Sequence, residues 1–275
     1  MRKLTIAAVS AALIAIIIGA GFFFMKGQSG SLETSKEEEH KQPEFVTEYI
    51  DSIADMHRKF PTDADVVFIG DSRIQLPQWQ DMFPNAKVAN RGIGSDTLDG
   101  LLRRVDHLGI RNPEVVVLEM GVNDVLQKQS LEASTVEANK ILKSLKPQAG
   151  RVVVLEVIDC NVSTCDRGQV LLLNMHMRAL AEKHGAQYVS LNNRLAGPDG
   201  LLPEYSHDGL HLNANGYKVL VSILCGEIKE LACADKAATD NAAPANAVPA
   251  SAAPEKSSSQ STAPAGASAT SPQAQ

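Results

Sequence analysis

The stretch Val66-Val67-Phe68-Ile69-Gly70-Asp71-Ser72 decides the fold, because it joins an apolar run of strand length to a glycine and two polar residues at a turn. Further runs of that kind occur at Lys87–Ala89, Val115–Met120, Arg151–Val157 and Gln187–Ser190. Between and after them lie helical patterns, at Thr97–Val105, Leu131–Leu145, Val170–His184 and Ala214–Ile228. Strands that alternate with helices predict an α/β protein: a doubly wound, mostly parallel five-stranded sheet covered by helices on both faces. Ahead of the first strand, Phe45, Ile50, Ile53, Met56 and Phe60 recur at roughly helical spacing, which predicts an amphipathic helix packed on the domain and ending before Pro61.

Ser72 then falls at the carboxyl end of a strand, the edge at which open α/β sheets bind ligands. Alone it reads as a helix cap, since a serine hydroxyl is a weak nucleophile until a base removes its proton. The reading changes with Asp208-Gly209-Leu210-His211, where a carboxylate and an imidazole stand three positions apart in a late turn. Such a carboxylate fixes the tautomer of the ring, and the other ring nitrogen is left to take the Ser72 proton and return it to a leaving alcohol. A tetrahedral intermediate also needs oxyanion donors already in place. The Asn123 amide, after the strand Val115–Met120, is one candidate, although Gly121-Val122-Asn123-Asp124 is also a good turn sequence. The backbone N–H groups of Ser72 and of the Gly94–Ser95 turn complete the set. Asp71, Asp96 and Asp124 each adjoin a predicted helix or turn and read as caps or scaffold, while Arg73, Arg91 and His207 adjoin the motifs and read as surface positions.

The four blocks Gly70-Asp71-Ser72, Asn90–Thr97 (NRGIGSDT), Gly121–Asp124 and Asp208–His211 together resemble the SGNH hydrolase superfamily, also called the GDSL esterases and lipases. The resemblance spans roughly Val66–Leu220 and keeps the family's block order. It implies a flavodoxin-like fold, with Ser72 as nucleophile, Ser95 and Asn123 as oxyanion donors, and Asp208 and His211 as acid and base. Ser95 stands where relatives often carry glycine, and its backbone amide is the group the family uses. Glycine tolerates backbone angles that serine resists, so the local geometry at Ser95 is the point to examine. The NRGIG wording is most similar to the branch of platelet-activating-factor acetylhydrolase subunits, which implies small acyl groups.

Composition divides the chain of 275 residues into unlike parts. Arg2 and Lys3 precede an uncharged run from Leu4 to Met25, long enough to cross a bilayer as a helix. Because Gly19, Ala20 and Gly21 are followed by three phenylalanines, residues 1–26 read as an uncleaved signal anchor in preference to a cleaved signal peptide. The flanking positive charges direct the remainder across the membrane. An extracytoplasmic, periplasmic-side domain held by the inner membrane is the expectation, or a secreted one if cleavage occurs. Residues 27–44 read as a polar tether, 45–234 as the hydrolase domain, and 235–275, rich in Ala, Pro, Ser and Thr, as a disordered tail. Cys160 with Cys165 and Cys225 with Cys233 are the preferred disulfides among three possible pairings. Their spacings lack a CxxC pair, and no metal or organic cofactor is implied. A net charge of −6 with no basic cluster beyond the N-terminus argues against nucleic acid as a partner.

These observations lead to an expected serine esterase that removes a short acyl group, such as acetyl, from a glycan or lipid ester. Two alternatives stay open: an acyltransferase that passes the acyl group from the same serine to a sugar hydroxyl, and a binding module that keeps the fold without activity. Oligomeric state is not legible in the sequence.

Overall fold

The computed structural model of the chain describes residues 42–233. The expected anchor, most of the tether and the tail lie outside these residues. No helix among the described residues is long and apolar enough to cross a membrane.

Five parallel strands form the central sheet: β1 (Val66–Gly70), β2 (Val88–Gly92), β3 (Val115–Glu119), β4 (Arg151–Leu155) and β5 (Gln187–Val189). Their spatial order is β2-β1-β3-β4-β5, so the chain reverses its winding direction at the β1/β3 boundary, where doubly wound sheets form their ligand crevice. Register sharpens this point, since Gly70 pairs with Gly92 on one side and Glu119 on the other, bringing three strand ends level. Gly70 has to be glycine there: a Cβ would lie 2.2 Å from the Glu119 carbonyl oxygen.

Every residue of β1 and β3 is buried, because helices cover both faces. On one face Val67, Ile69, Val116, Leu118 and Val154 pack under α4 (Leu98–Arg104), α6 (Leu131–Leu145) and α7 (Arg167–His184). The opposite face sends Phe68, Val117, Val153 and Leu155 against Trp79 of α3 (Trp79–Met82), Leu195 of α8 (Asn192–Leu195), and Tyr217 and Leu220 of α9 (Ala214–Glu227). Phe68 and Trp79 stack with ring centroids 4.0 Å apart, and Tyr217 meets the indole edge-on. The short helices α2 (Ser72–Gln75) and α5 (Val122–Leu126) start directly from the ends of β1 and β3.

Two expectations need correction. The second strand runs to Gly92 and not to Ala89, although Asn90 and Arg91 are polar. It continues because the guanidinium of buried Arg91 donates to the carbonyls of Leu108 (2.6 Å), Asn90 (2.9 Å) and Gly109 (3.0 Å). The N-terminal helix α1 (Glu44–Lys59) does form, but it docks through Ile50, with Val46, Ile53, Ala54 and His57 partly covered. Phe45 and Met56 point to solvent, since a 3.6-residue period from Ile50 selects 46, 53, 54 and 57 and leaves those two on the opposite side, and Phe60, just past the helix end, is exposed as well. Both preferred disulfides are present, Cys160–Cys165 and Cys225–Cys233, with Cα atoms 6.3 and 5.7 Å apart.

Candidate active site

Ser72 opens α2 at the end of β1, where the Asp71 side chain caps the helix by accepting from the Arg73 N–H at 2.9 Å. Being the first helical residue, Ser72 has no intrahelical acceptor for its own N–H. Its Oγ lies 2.9 Å from His211 Nε2. The imidazole is presented by the loop 206–211, which an isolated antiparallel bridge between Ser206 and Leu212 closes before α9 begins.

Within this loop Asp208 turns both carboxylate oxygens toward His211. Oδ2 is 2.6 Å from Nδ1, and Oδ1 accepts the N–H groups of His211 (2.7 Å) and Leu210 (2.9 Å). Partial burial raises the Asp208 pKa, but the hydrogen bonds from the His211 ring and from these two N–H groups outweigh it and hold the carboxyl well below its ordinary range. An ionised Asp208 can only accept, so Nδ1 carries the ring proton and Nε2 offers its lone pair to the Ser72 hydroxyl. The Ser206 hydroxyl donates to the His211 carbonyl at 2.7 Å and accepts from the Gly209 N–H at 2.9 Å, which stiffens the turn. Gly209 sits at φ 75° with the Asn161 carbonyl so close that a Cβ would lie 2.3 Å from it. A glycine at the second place of Asp-x-x-His is thus required by both backbone angle and contact.

Three donors share the rim beside Ser72. Gly94 is near enough that a Cβ there would lie 3.9 Å from Ser72 Cβ, and Ser95 follows it. Ser95 adopts φ 62°, in the left-handed region that glycine enters freely and serine enters at a cost of about 1–2 kcal/mol. The chain therefore keeps the turn that a glycine would make, and the serine carries the strain. Neither the Ser72 N–H nor the Ser95 N–H finds an acceptor among the described residues. Asn123, second in α5, donates one Nδ2 hydrogen to the carbonyl of Asp96, the residue after Ser95, at 2.8 Å, and the other hydrogen has no partner among the described residues. All five residues expected at the site, Ser72, Ser95, Asn123, Asp208 and His211, are thus gathered at one sheet edge from four separate segments.

The aspartates behave as scaffold. Asp96 is buried against Arg104 at 2.8 Å, and Asp124 accepts the Leu98 N–H at 3.2 Å, capping α4 and not its own helix. Burial pushes both carboxyl pKa values up, and the Arg104 charge opposes the shift at Asp96. His207 is exposed, as expected. Arg73 and Arg91 overturn the surface reading, being 1% and 7% exposed. Arg73 donates to the carbonyls of Ile158 (2.6 Å) and Leu210 (3.0 Å), and its guanidinium lies 3.5 Å from Glu119. The residue after Ser72 therefore grips the residue before His211. Its own carbonyl accepts the Tyr217 hydroxyl at 2.7 Å. No local signal in the sequence pointed to this bracket, because its partners lie 46, 85 and 137 residues away.

The loops 159–169 and 195–205 beside the site are laced together. Arg167 pairs with Asp159 at 2.8 Å and donates to the carbonyls of Pro198 (2.8 Å) and Gly197 (3.3 Å), while the Asn161 N–H donates to Gly209 at 2.6 Å. The loop carrying Cys160–Cys165 thereby leans on the loop carrying Asp208. Among the described residues, no group of three or more His, Cys, Asp or Glu side chains is placed to hold a metal ion.

Residues 51–219 match the model of the GDSL-like Lipase/Acylhydrolase family. The chain is 28% identical over 196 residues to platelet-activating factor acetylhydrolase IB subunit alpha1 from Rattus norvegicus, covering 66% of this chain and 84% of the relative. A solved structure from Streptococcus pneumonia named for platelet activating factor superposes with a TM-score of 0.62 at 23% identity, over 66% of this chain and 94% of the other. An acetyl xylan esterase structure superposes with a TM-score of 0.51 at 20% identity, over 61% and 100%. With the family model matched from before β1 into α9, this chain belongs to the GDSL-like lipases and acylhydrolases and is a carboxylic ester hydrolase.

Proposed function

We propose that the protein hydrolyses short-chain acyl esters, acetyl foremost, of a carbohydrate or lipid through Ser72, His211 and Asp208. The observation that carries the reading is the continuous contact from Ser72 Oγ to His211 Nε2 at 2.9 Å and from His211 Nδ1 to Asp208 Oδ2 at 2.6 Å. Ser72 Oγ attacks the ester carbonyl while Nε2 takes its proton, and ionised Asp208 stabilises the imidazolium. The oxyanion forms where the N–H groups of Ser72 and Ser95 and the free Asn123 amide hydrogen meet, with no need for these groups to reorganise. Collapse expels the alcohol, protonated by His211. Water then attacks the acyl-serine with His211 as base, which releases the acid and restores the hydroxyl.

The short acyl group rests on the acetylhydrolase and acetyl esterase names carried by the relative and the structural neighbour described above. An extracytoplasmic, membrane-anchored setting rests on the apolar run 4–25 and is consistent with two disulfides in one domain. Hydrolysis of p-nitrophenyl esters of increasing acyl length tests the activity: turnover should be greatest for acetate and fall with chain length. Turnover rising with acyl length contradicts the short-acyl reading. Product analysis with a sugar acceptor present should yield free acid, and acylated sugar in its place contradicts hydrolysis as the net reaction.

A further inference from the structure

Two hydrogen bonds hold the Gly94–Ser95 turn from outside, and a third steadies Gln75, which makes one of them. The Gln42 side-chain amide donates to the Ser95 carbonyl at 2.5 Å. Gln75, at the end of α2, accepts the Gly94 N–H on its Oε1 at 2.8 Å and donates from Nε2 to the Tyr49 hydroxyl at 3.0 Å. Gln75 is itself fixed from behind, because its carbonyl accepts from the Asn90 amide at 3.1 Å and its N–H lies 2.4 Å from where a Gly92 Cβ would stand. Gln42 and Tyr49 belong to the segment leading into α1 and to α1 itself, ahead of residue 51 where the family match begins. That helix is seated by buried Ile50 and by Gly109, which sits at φ 63° and, having no Cβ, lets its backbone close against the His57 carbonyl.

The first two bonds flank the one rim residue whose backbone is strained. Ser95 occupies left-handed φ without being glycine, and an isolated serine turn would relax toward negative φ and swing its N–H away. Gln42 holds the carbonyl on one side of Ser95, and Gln75 holds the N–H of the residue before it. We infer that Gln42, Tyr49 and Gln75 are positioning residues: a strap, drawn from α1, the segment leading into it and the end of α2, that keeps the Ser95 N–H aimed at the oxyanion and ties α1 to the active site. The inference rests on the hydrolase reading given above. It also explains why a serine can stand at this place in the turn: the conformational preference that glycine supplies by itself is here supplied by Gln42, just ahead of α1, and by Gln75, which Tyr49 of α1 steadies.

The test is steady-state hydrolysis of p-nitrophenyl acetate by Gln42→Ala, Tyr49→Phe and Gln75→Ala variants of the full chain, each made also in a Ser95→Gly background. Hydrogen exchange of the peptide containing Gly94 and Ser95 is followed in parallel. Losing an oxyanion donor outright lowers kcat by about 100-fold or more, so loosening one should lower kcat by roughly tenfold with KM within about twofold. Exchange at the turn should rise, while the urea midpoint stays near the parent's. In the glycine background, whose backbone needs no strap at this φ, the same changes should lower kcat by under about threefold relative to Ser95→Gly alone. Equal losses in both backgrounds, or variants within twofold of a parent that turns over, overturn the strap while leaving the hydrolase reading intact. A folded parent with no turnover overturns the hydrolase reading and the catalytic role of the strap together.

Discussion

Arg73→Met is the substitution whose consequence the structure predicts most fully. The side chain is 1% exposed and satisfies the Ile158 and Leu210 carbonyls, with Glu119 3.5 Å from the guanidinium and Asp71 capping at its N–H. Burial, set against the Arg73 charge, raises the carboxyl of Glu119, and one Glu119 oxygen already lacks a hydrogen-bond partner among the described residues. Methionine would fill the volume but leave Glu119 with no counter-charge and two carbonyls unpaired. Removing one member of a buried ion pair costs about 3–5 kcal/mol, against roughly 0.5 for an ordinary surface change. Urea unfolding followed by the fluorescence of Trp79, the one tryptophan of the chain, reads this directly. The double variant Arg73→Met/Glu119→Met removes both charges and should recover about half or more of the loss, because paired charges exchanged for apolar side chains of similar size are often neutral. Ester turnover should stay low in that double variant, since the Leu210 tether beside His211 is still missing. A single-variant cost under about 1 kcal/mol, or a double variant as unstable as the sum of the singles, would refute the bracket.

Three further outcomes follow from the same geometry. Ser95→Gly removes a left-handed serine at about 1–2 kcal/mol and adds glycine's unfolded-state entropy at about 0.5–1, so a small gain, near 0.5–1 kcal/mol, should appear in the urea midpoint; a loss would show that the serine side chain contributes contacts of its own. Burial, reinforced by the neighbouring Glu119 charge, pushes the Asp71 carboxyl up to about 8 from the ordinary 3.8. Its contribution is therefore fully present below about pH 4 and lost as pH rises through about 8, and Asp71→Asn should flatten the fall of stability across that window by up to about 1.4 kcal/mol per pH unit; parallel pH profiles for parent and variant would contradict it. Reducing Cys160–Cys165, a short loop, should lower stability by about 2 kcal/mol and also lower turnover, because Asn161 inside that loop holds Gly209 next to Asp208; turnover unchanged by specific reduction would separate the two loops functionally.

What could be read in the sequence, and what could not, divides along a physical line. Val66–Ile69 and Val115–Leu118 announce buried parallel strands because each is apolar without interruption, and Ser72 and Asn123 follow them at the crevice that the strand order creates. Asp208 and His211 are legible as a pair because their partnership is local, closed by a four-residue turn. Arg73 and Arg91 were misread because a charged side chain is seldom buried unless partnered, and their partners are carbonyls that only the fold brings near. The face of α1 was misjudged for a related reason: its apolar residues occupy two sides, and nothing local tells which side meets the domain. Ser95 posed the right question, since its identity flagged an angle serine resists, yet the answer lay in Gln42 and Gln75, 53 and 19 residues from the bonds they make. Local chemistry was legible, and long-range satisfaction of buried or strained groups was not.

The most direct test of the central claim is to expose the protein to a serine-reactive fluorophosphonate, locate the adduct by peptide mass spectrometry, and measure p-nitrophenyl acetate turnover with Ser72→Ala as the control. A single adduct on Ser72, loss of turnover in step with labelling, and neither labelling nor turnover in Ser72→Ala are expected. Turnover that survives in Ser72→Ala, or an adduct on another serine, would contradict the claim.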